Sequence, residues 1–178
     1  SLGVGTCYIQ LGSPKAKITT VEACKNTREI ALESFKMLDL ENIECIRSTF
    51  NDFLAEKPET KYDLIYIDGH HDGEALLRYM SELSENKHDE TIFILDDIRW
   101  SNSMLEAWKW FVHSPDYHVT IDLFRMGIVL RRPQQEKEHF CLIDFGRQLT
   151  KIKVIDWIDK VQSNGAGEII ITSVNKDG

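Results

Sequence analysis

Two short apolar runs, "LIYI" (Leu64 to Ile67) and "IFIL" (Ile92 to Leu95), each stop at an aspartate, and each is followed by a stretch of helical length with apolar residues on one side. An apolar run of four closed by an acid is too short for a helix, and the switch to a period near 3.6 marks a strand followed by a helix. Consecutive apolar positions fill both faces of a strand, so these runs predict parallel strands covered by helices on both sides. The unit recurs. "KITTVEA" (Lys17 to Ala23) precedes "NTREIALESFKMLDL", whose Ile30, Phe35 and Leu38 are expected on one helical face, and "IECIRS" (Ile43 to Ser48) precedes a short helix. "YDLIYID" precedes "GEALLRYMSELSENK", and "ETIFILDD" precedes "SMLEAWKWFVHS". "YHVTIDL" and "GIVLRR", joined through Phe124, Arg125 and Met126, predict an antiparallel hairpin at the sheet edge.

These units predict a doubly wound α/β domain over residues 1–143. In such sheets ligands bind beyond the carboxyl ends of the strands. The polar residues to examine are therefore Glu22, Ser48 to Asn51, Asp68 to His71, and Asp96 with Asp97. A formal charge of -8 gives no general attraction to phosphate backbones, so no nucleic-acid partner is expected. Nor is a membrane partner, because no apolar run approaches the roughly 20 residues of a span. Cys7, Cys24, Cys45 and Cys141 are scattered without CxxC spacing and suit isolated thiols in a reducing compartment, which makes the cytoplasm the expected location.

"SLGVGT" places Gly3 and Gly5 just before a helix, where a ligand can approach the backbone at a helix N-terminus. A plain turn is the other reading. Glu22, an acid ending the next strand, stands where such domains bind a ribose diol, or is simply a solvated strand-end acid. Asp97 is open to capping the following helix, Asp68 with Gly69 to forming a turn, and His70 and His71 to being exposed loop residues.

The succession "SLGVGT", "ITTVEAC", "YDLIYIDGHH", "ILDDIRWS" and "FRMGIVL" resembles the class I S-adenosylmethionine-dependent methyltransferases, in particular the small-molecule O-methyltransferase-like branch. The resemblance covers residues 1–143 and implies a Rossmann-like sheet and methyl transfer to a hydroxylated small-molecule acceptor. It implies S-adenosylmethionine bound by Ser1 and Gly3, by Glu22 at the ribose, by Thr49, Phe50 and Asn51 near adenine, and by Asp68. The metal-dependent members of that branch further imply Mg2+ held by Asp68, Asp96 and Asp97, with His71 as the base and His70 a neighbour. Trp100, Trp108 and Trp110 are candidates for an acceptor pocket, although the helical spacing of Trp108 with Leu105 and Val112 favours the core. The family's first strand would precede Ser1, so the chain is expected to be an N-terminally truncated piece, open to being inactive alone. A homodimer is open as well, and so is a nucleoside-binding or scaffold domain that has lost turnover.

Beyond Ile143, "GRQLTKIKVIDWIDKVQSNGAGEIIITSVNKDG" reads as a helix with Ile155, Ile158 and Val161 on one face, a glycine-rich turn and a strand. "GAGEIIITSVNKDG" resembles one step of the (β/α)8 cyclase subunit of imidazole glycerol phosphate synthase. That resemblance implies an acid/base role for Asp177 and a place near the phosphate-bearing substrate for Thr172. It offers histidine biosynthesis as an alternative function. One helix and one strand cannot close a barrel of eight, so residues 144–178 are expected to be a barrel fragment joined to the methyltransferase-like domain.

Overall fold

The computed structural model describes residues 2–56 and 59–141. The expected helix and strand of 144–178, with Thr172 and Asp177, lie outside the described residues, as does Ser1. The elements are α1 (Val4–Gly12), β1 (Ile18–Val21), α2 (Lys25–Met37), β2 (Ile43–Ile46), α3 (Phe50–Ala55), β3 (Leu64–Ile67), α4 (Gly73–Glu82), a 3-10 turn (Leu83–Asn86), β4 (Ile92–Leu95), α5 (Asn102–His113), β5 (Val119–Asp122), β6 (Gly127–Leu130) and β7 (Glu138–Cys141). Among the described residues no helix is long and apolar enough to cross a membrane. The described strands form two ladders, one of two strands and one of five. They fall in two compact units: Ser1–Tyr62 with Leu77–His88, and Asp63–Leu76 with the residues from Asp89 onward.

In the first unit β1 and β2 pair in parallel, from Ile18 opposite Ile43 to Val21 opposite Ile46. Their core is Cys7 of α1, Ala31 and Phe35 of α2, and Cys45 of β2, flanked by Leu40 and Ile43. Ala31 and Phe35 are an i,i+4 pair, the spacing that puts two residues on one helical face. The expected face of α2 was thus partly wrong, because Ile30 and Leu38 are 47% exposed. The buried stripe runs through the small Ala31, which lets α1 approach. Gly3 caps α1 at φ 78°, and a Cβ there would stand 2.7 Å from the Ala31 Cβ. Both the left-handed backbone and the close helix contact therefore call for glycine.

In the second unit the strand order is β3-β4-β6-β5-β7. β3 and β4 are parallel, β6 is antiparallel to both β4 and β5, and β7 runs parallel to β5. The hairpin is as expected in pairing but not in place, since β7 covers the outer side of β5. "EHFC" is too short and too polar at its start to be read as a strand before its partner is known.

Only one face of this sheet is deeply buried. Phe93, Leu95, Val129 and Thr120 are at most 1% exposed, and Met104, Ala107, Trp108 and Phe111 supply the buried side of α5. Gly127 marks the contact, because a Cβ there would lie 2.4 Å from the Trp108 ring. Along β3 and β4 burial alternates strictly, with Ile65, Ile67, Phe93 and Leu95 buried and Leu64, Tyr66, Ile92 and Ile94 not. Among the described residues the second face of β3 and β4 is therefore less buried than the first. Apolar composition alone cannot distinguish a face that is covered from one that is merely apolar.

Candidate active site at the strand ends

The carboxyl ends of β3 and β4 carry the residues singled out by the sequence. β3 ends at Ile67, and the chain then passes through Asp68 and Gly69 to His70 (φ 66°) and His71 (φ 35°). β4 ends at Leu95, and Asp97 follows at φ 48°. Left-handed backbone in residues other than glycine costs about 1–3 kcal/mol each and collects at functional sites, so three such residues at two neighbouring strand ends are informative.

Those backbones bring His71 and Asp97 together. His71 Nδ1 lies 3.8 Å from Asp97 Oδ2, and the imidazole leans over the Trp100 ring with centroids 5.3 Å apart and an interplanar angle of 36°. Trp100 is fixed locally, its N–H donating to the Asp97 carbonyl at 2.8 Å. The loop is anchored below by Asp72, whose Oδ1 accepts from the Ala75 N–H at 2.9 Å and so caps the start of α4. Ser101 caps α5 by accepting from the Met104 N–H at 3.2 Å. Two capped helices thus hold the two strand-end loops.

The expected metal site does not form. Asp96 is committed on both oxygens: Oδ2 accepts from the Tyr66 hydroxyl at 2.5 Å and Oδ1 from the Asp97 N–H at 2.8 Å. Asp97 faces His71 on one oxygen and Arg125 Nη2 at 3.8 Å on the other. Among the described residues no group of three or more His, Cys, Asp or Glu side chains could hold a metal ion. Asp68, Asp96 and Asp97 therefore do not fit Mg2+, which needs converging oxygen ligands at about 2.0–2.1 Å. Strand spacing brings the strand ends near one another, but Asp97, at its left-handed turn, faces His71 and Arg125.

Electrostatics follow from this arrangement. Burial pushes the Asp68 carboxyl up, and the charge of Asp96 adds to the rise. The Tyr66 phenol is likewise pushed far up, by burial first and then by its hydrogen bond to Asp96. One tight carboxylate cluster that sequence reading missed lies at the end of β5. Asp122 accepts from Arg99 Nη1 and Nη2 at 2.7 and 2.6 Å, from Trp108 Nε1 at 3.0 Å and from the Phe124 N–H at 2.8 Å. Burial works against its charge, but these donors outweigh it and hold the carboxyl below its ordinary value. An acid closing "VTID" was its only sequence signal.

The residues expected around the nucleoside belong to the first unit. The Glu22 carboxylate, just past β1, accepts from the Cys24 N–H at 2.9 Å. Thr49 is the N-cap of α3, accepting from the Asp52 N–H at 3.1 Å. Phe50 meets Tyr79 edge-on with centroids 5.6 Å apart, and Asn51 Oδ1 accepts from Arg78 Nη2 at 3.1 Å. Gly3 opens α1 without any side-chain cap, and a Cβ on Gly5 would meet nothing within 4 Å. A strand-end acid and an uncapped, open helix N-terminus in one unit fit a ligand with a diol and an anionic group. Trp108 is core, as its spacing favoured, whereas Trp100 and Trp110 are 67% and 49% exposed.

Parallel β1–β2 and β3–β4 pairs alternating with helices, with acids just past the strand ends, are the architecture of the Rossmann-like methyltransferases. Residues 1–98 match the profile of the methyltransferase domain family, and the chain belongs to that family. Residues 100–178 match the histidine biosynthesis protein profile. Among solved structures, a putative caffeoyl-CoA O-methyltransferase from Staphylococcus aureus shares the fold, with a TM-score of 0.63 at 14% identity over 73% of this chain and 71% of that one. The SAH-bound methyltransferase PaMTH1 of Podospora anserina gives 0.57 at 17% identity over 70% and 64%. Imidazole glycerol phosphate synthase subunit HisF of Staphylococcus aureus strain MRSA252 is 46% identical over 44 residues, which is 25% of this chain and 18% of that protein. The chain therefore spans under a fifth of the length of the curated relatives it matches. The antiparallel β6 lies within the stretch that matches the histidine biosynthesis profile, and has no counterpart in an all-parallel eight-stranded barrel.

Proposed function

We propose that this chain serves S-adenosylmethionine-dependent methyl transfer to a hydroxyl of a small acceptor, with His71 as general base. The observation that carries the reading is the pairing of His71 with Asp97 under Trp100 at the strand ends of a methyltransferase-family chain. Glu22 is assigned to the ribose hydroxyls and the α1 N-terminus with Gly3 to the anionic end of the cofactor. Thr49, Phe50 and Asn51 are assigned to adenine. When bound, the cofactor supplies an electrophilic methyl group on a sulfonium.

The protein's part is then proton removal. His71 Nδ1 faces Asp97, which leaves Nε2 for the acceptor hydroxyl. As the oxygen gains the methyl group, its proton passes to Nε2, and the Asp97 carboxylate stabilises the imidazolium that results. Burial and the neighbouring Asp96 disfavour the charged form of Asp68 beside this site. Trp100 offers an exposed face against which an acceptor can lie.

His71→Ala should lower kcat at least about tenfold while leaving cofactor affinity unchanged, measured by turnover and calorimetry side by side. An unchanged rate removes His71 from the mechanism. Because the carboxylates are engaged elsewhere, a chelator should leave the rate unaltered. The cyclase reading draws on the HisF similarity and on Asp177. Titration with an imidazole-forming phosphate substrate tests it, and binding of that substrate but not of S-adenosylmethionine would replace the present reading.

A further inference from the structure

The loop between β4 and α5 supplies both groups that meet His71, the Asp97 carboxylate and the Trp100 ring. Groups that serve a proton transfer must be held within about 0.5 Å of the productive geometry, and a loop meets that demand only when it is fastened. The fastening lies between Asp97 and Trp100 in the chain. The N–H of the buried Ile98 donates to the Arg125 carbonyl at 3.0 Å. The Arg99 guanidinium gives Nη1 to Asp122 Oδ1 at 2.7 Å and to the Phe124 carbonyl at 2.6 Å, and Nη2 to Asp122 Oδ2 at 2.6 Å. It also lies over the Phe124 ring, 5.2 Å from the centroid.

The receiving side is itself fixed. Asp122 is 3% exposed and accepts as well from the Trp108 indole at 3.0 Å and the Phe124 N–H at 2.8 Å. Phe124 stands at φ 72°, a conformation that costs about 1–3 kcal/mol and persists only where the surroundings over-determine it. Its N–H and its carbonyl are both engaged by the Arg99–Asp122 pair. We propose that Arg99 is the positioning residue of the site: by clamping the β4–α5 loop onto the β5–β6 turn, it sets the Asp97 carboxylate and the Trp100 face against His71. Arg99 acts through those two neighbours, and its consequence for turnover rests on the reading of His71 as the base. Lysine is no substitute, because a compact ammonium lacks the planar fork that meets both Asp122 oxygens and the Phe124 carbonyl at once. Its charge still balances Asp122, so Arg99→Lys is the variant expected to fold.

Nuclear magnetic resonance on the full chain, without cofactor or acceptor, tests the proposal through the imidazole C–H resonances of His71, assigned by their loss in His71→Ala. These protons lie beside the Trp100 ring and feel its ring current. In Arg99→Lys they should move toward their positions in Trp100→Ala. Resonances that stay at their wild-type positions overturn the proposal, and a lowered melting temperature with unmoved resonances does so too, since Arg99 would then be a structural residue only. Turnover is measured separately, and kcat should fall at least about tenfold in Arg99→Lys at unchanged cofactor affinity. Moved resonances with an unchanged kcat would remove His71 as the base while upholding the hold of Arg99 on the loop.

Discussion

Single residues at the strand ends carry opposite electrostatic loads. Asp68 is held above the ordinary carboxylate range by burial and by Asp96, so its charged form is penalised in the folded state. Its contribution is most favourable below the unfolded value and is lost as pH rises through the raised one. Asp68→Asn should therefore raise the melting temperature at neutral pH, and the two proteins should converge near pH 3. Asp122 is the reverse case, lowered chiefly by its Arg99 hydrogen bonds against the cost of burial. Its stabilisation is present above the ordinary carboxylate range and fades as pH falls through the lowered value. Asp122→Ala strands Arg99 and the buried Trp108 N–H and should cost about 3 kcal/mol in denaturant unfolding at neutral pH, with a smaller difference in acid. Asp97→Asn keeps a side chain that tolerates the left-handed backbone but removes the charge facing His71, and should lower kcat about tenfold without unfolding the protein. The identities of Asp68, His71, Asp96 and Asp97 were legible in sequence. Their partners were not, because a left-handed turn of one residue redirects a carboxylate by an amount that no spacing rule encodes.

Elements followed the sequence closely where a periodic run was long, and departed from it where the partner decides. Strands β1 to β6 and helices α1 to α5 coincide with the apolar runs and their flanking caps. β7 escaped notice because "EHFC" has no alternation of its own and exists as a strand through pairing with β5. The face of α2 shifted from Ile30 and Leu38 to Ala31 and Phe35 because α1 packs closely at Gly3, which favours a small residue in the contact. The α5 contact with β6 is just as close. Gly127→Ala would drive a methyl group into a Trp108 ring already held by its hydrogen bond to Asp122. The expected cost is about 1–3 kcal/mol, read as a fall of about 3–10 °C in melting temperature with the fold retained.

Over the whole molecule, a net charge of -8 opposes compaction, so raising salt from low ionic strength to about 0.15 M should raise the melting temperature, as a calorimetric series would show. The sequence by itself determined the α/β class, the order of strands and helices and the strand-end position of the chemical groups. It could do so because hydrophobic period and capping are local properties that the backbone must obey. It also carried the two resemblances, each confined to its own part of the chain. Only the tertiary structure decided that the described strands form ladders of two and five, that one face of β3 and β4 is the more buried among the described residues, and that Asp96 and Asp97 face Tyr66, His71 and Arg125. Those outcomes depend on which distant segments meet and on backbone angles fixed by that meeting, and neither is written in the pattern of any one segment.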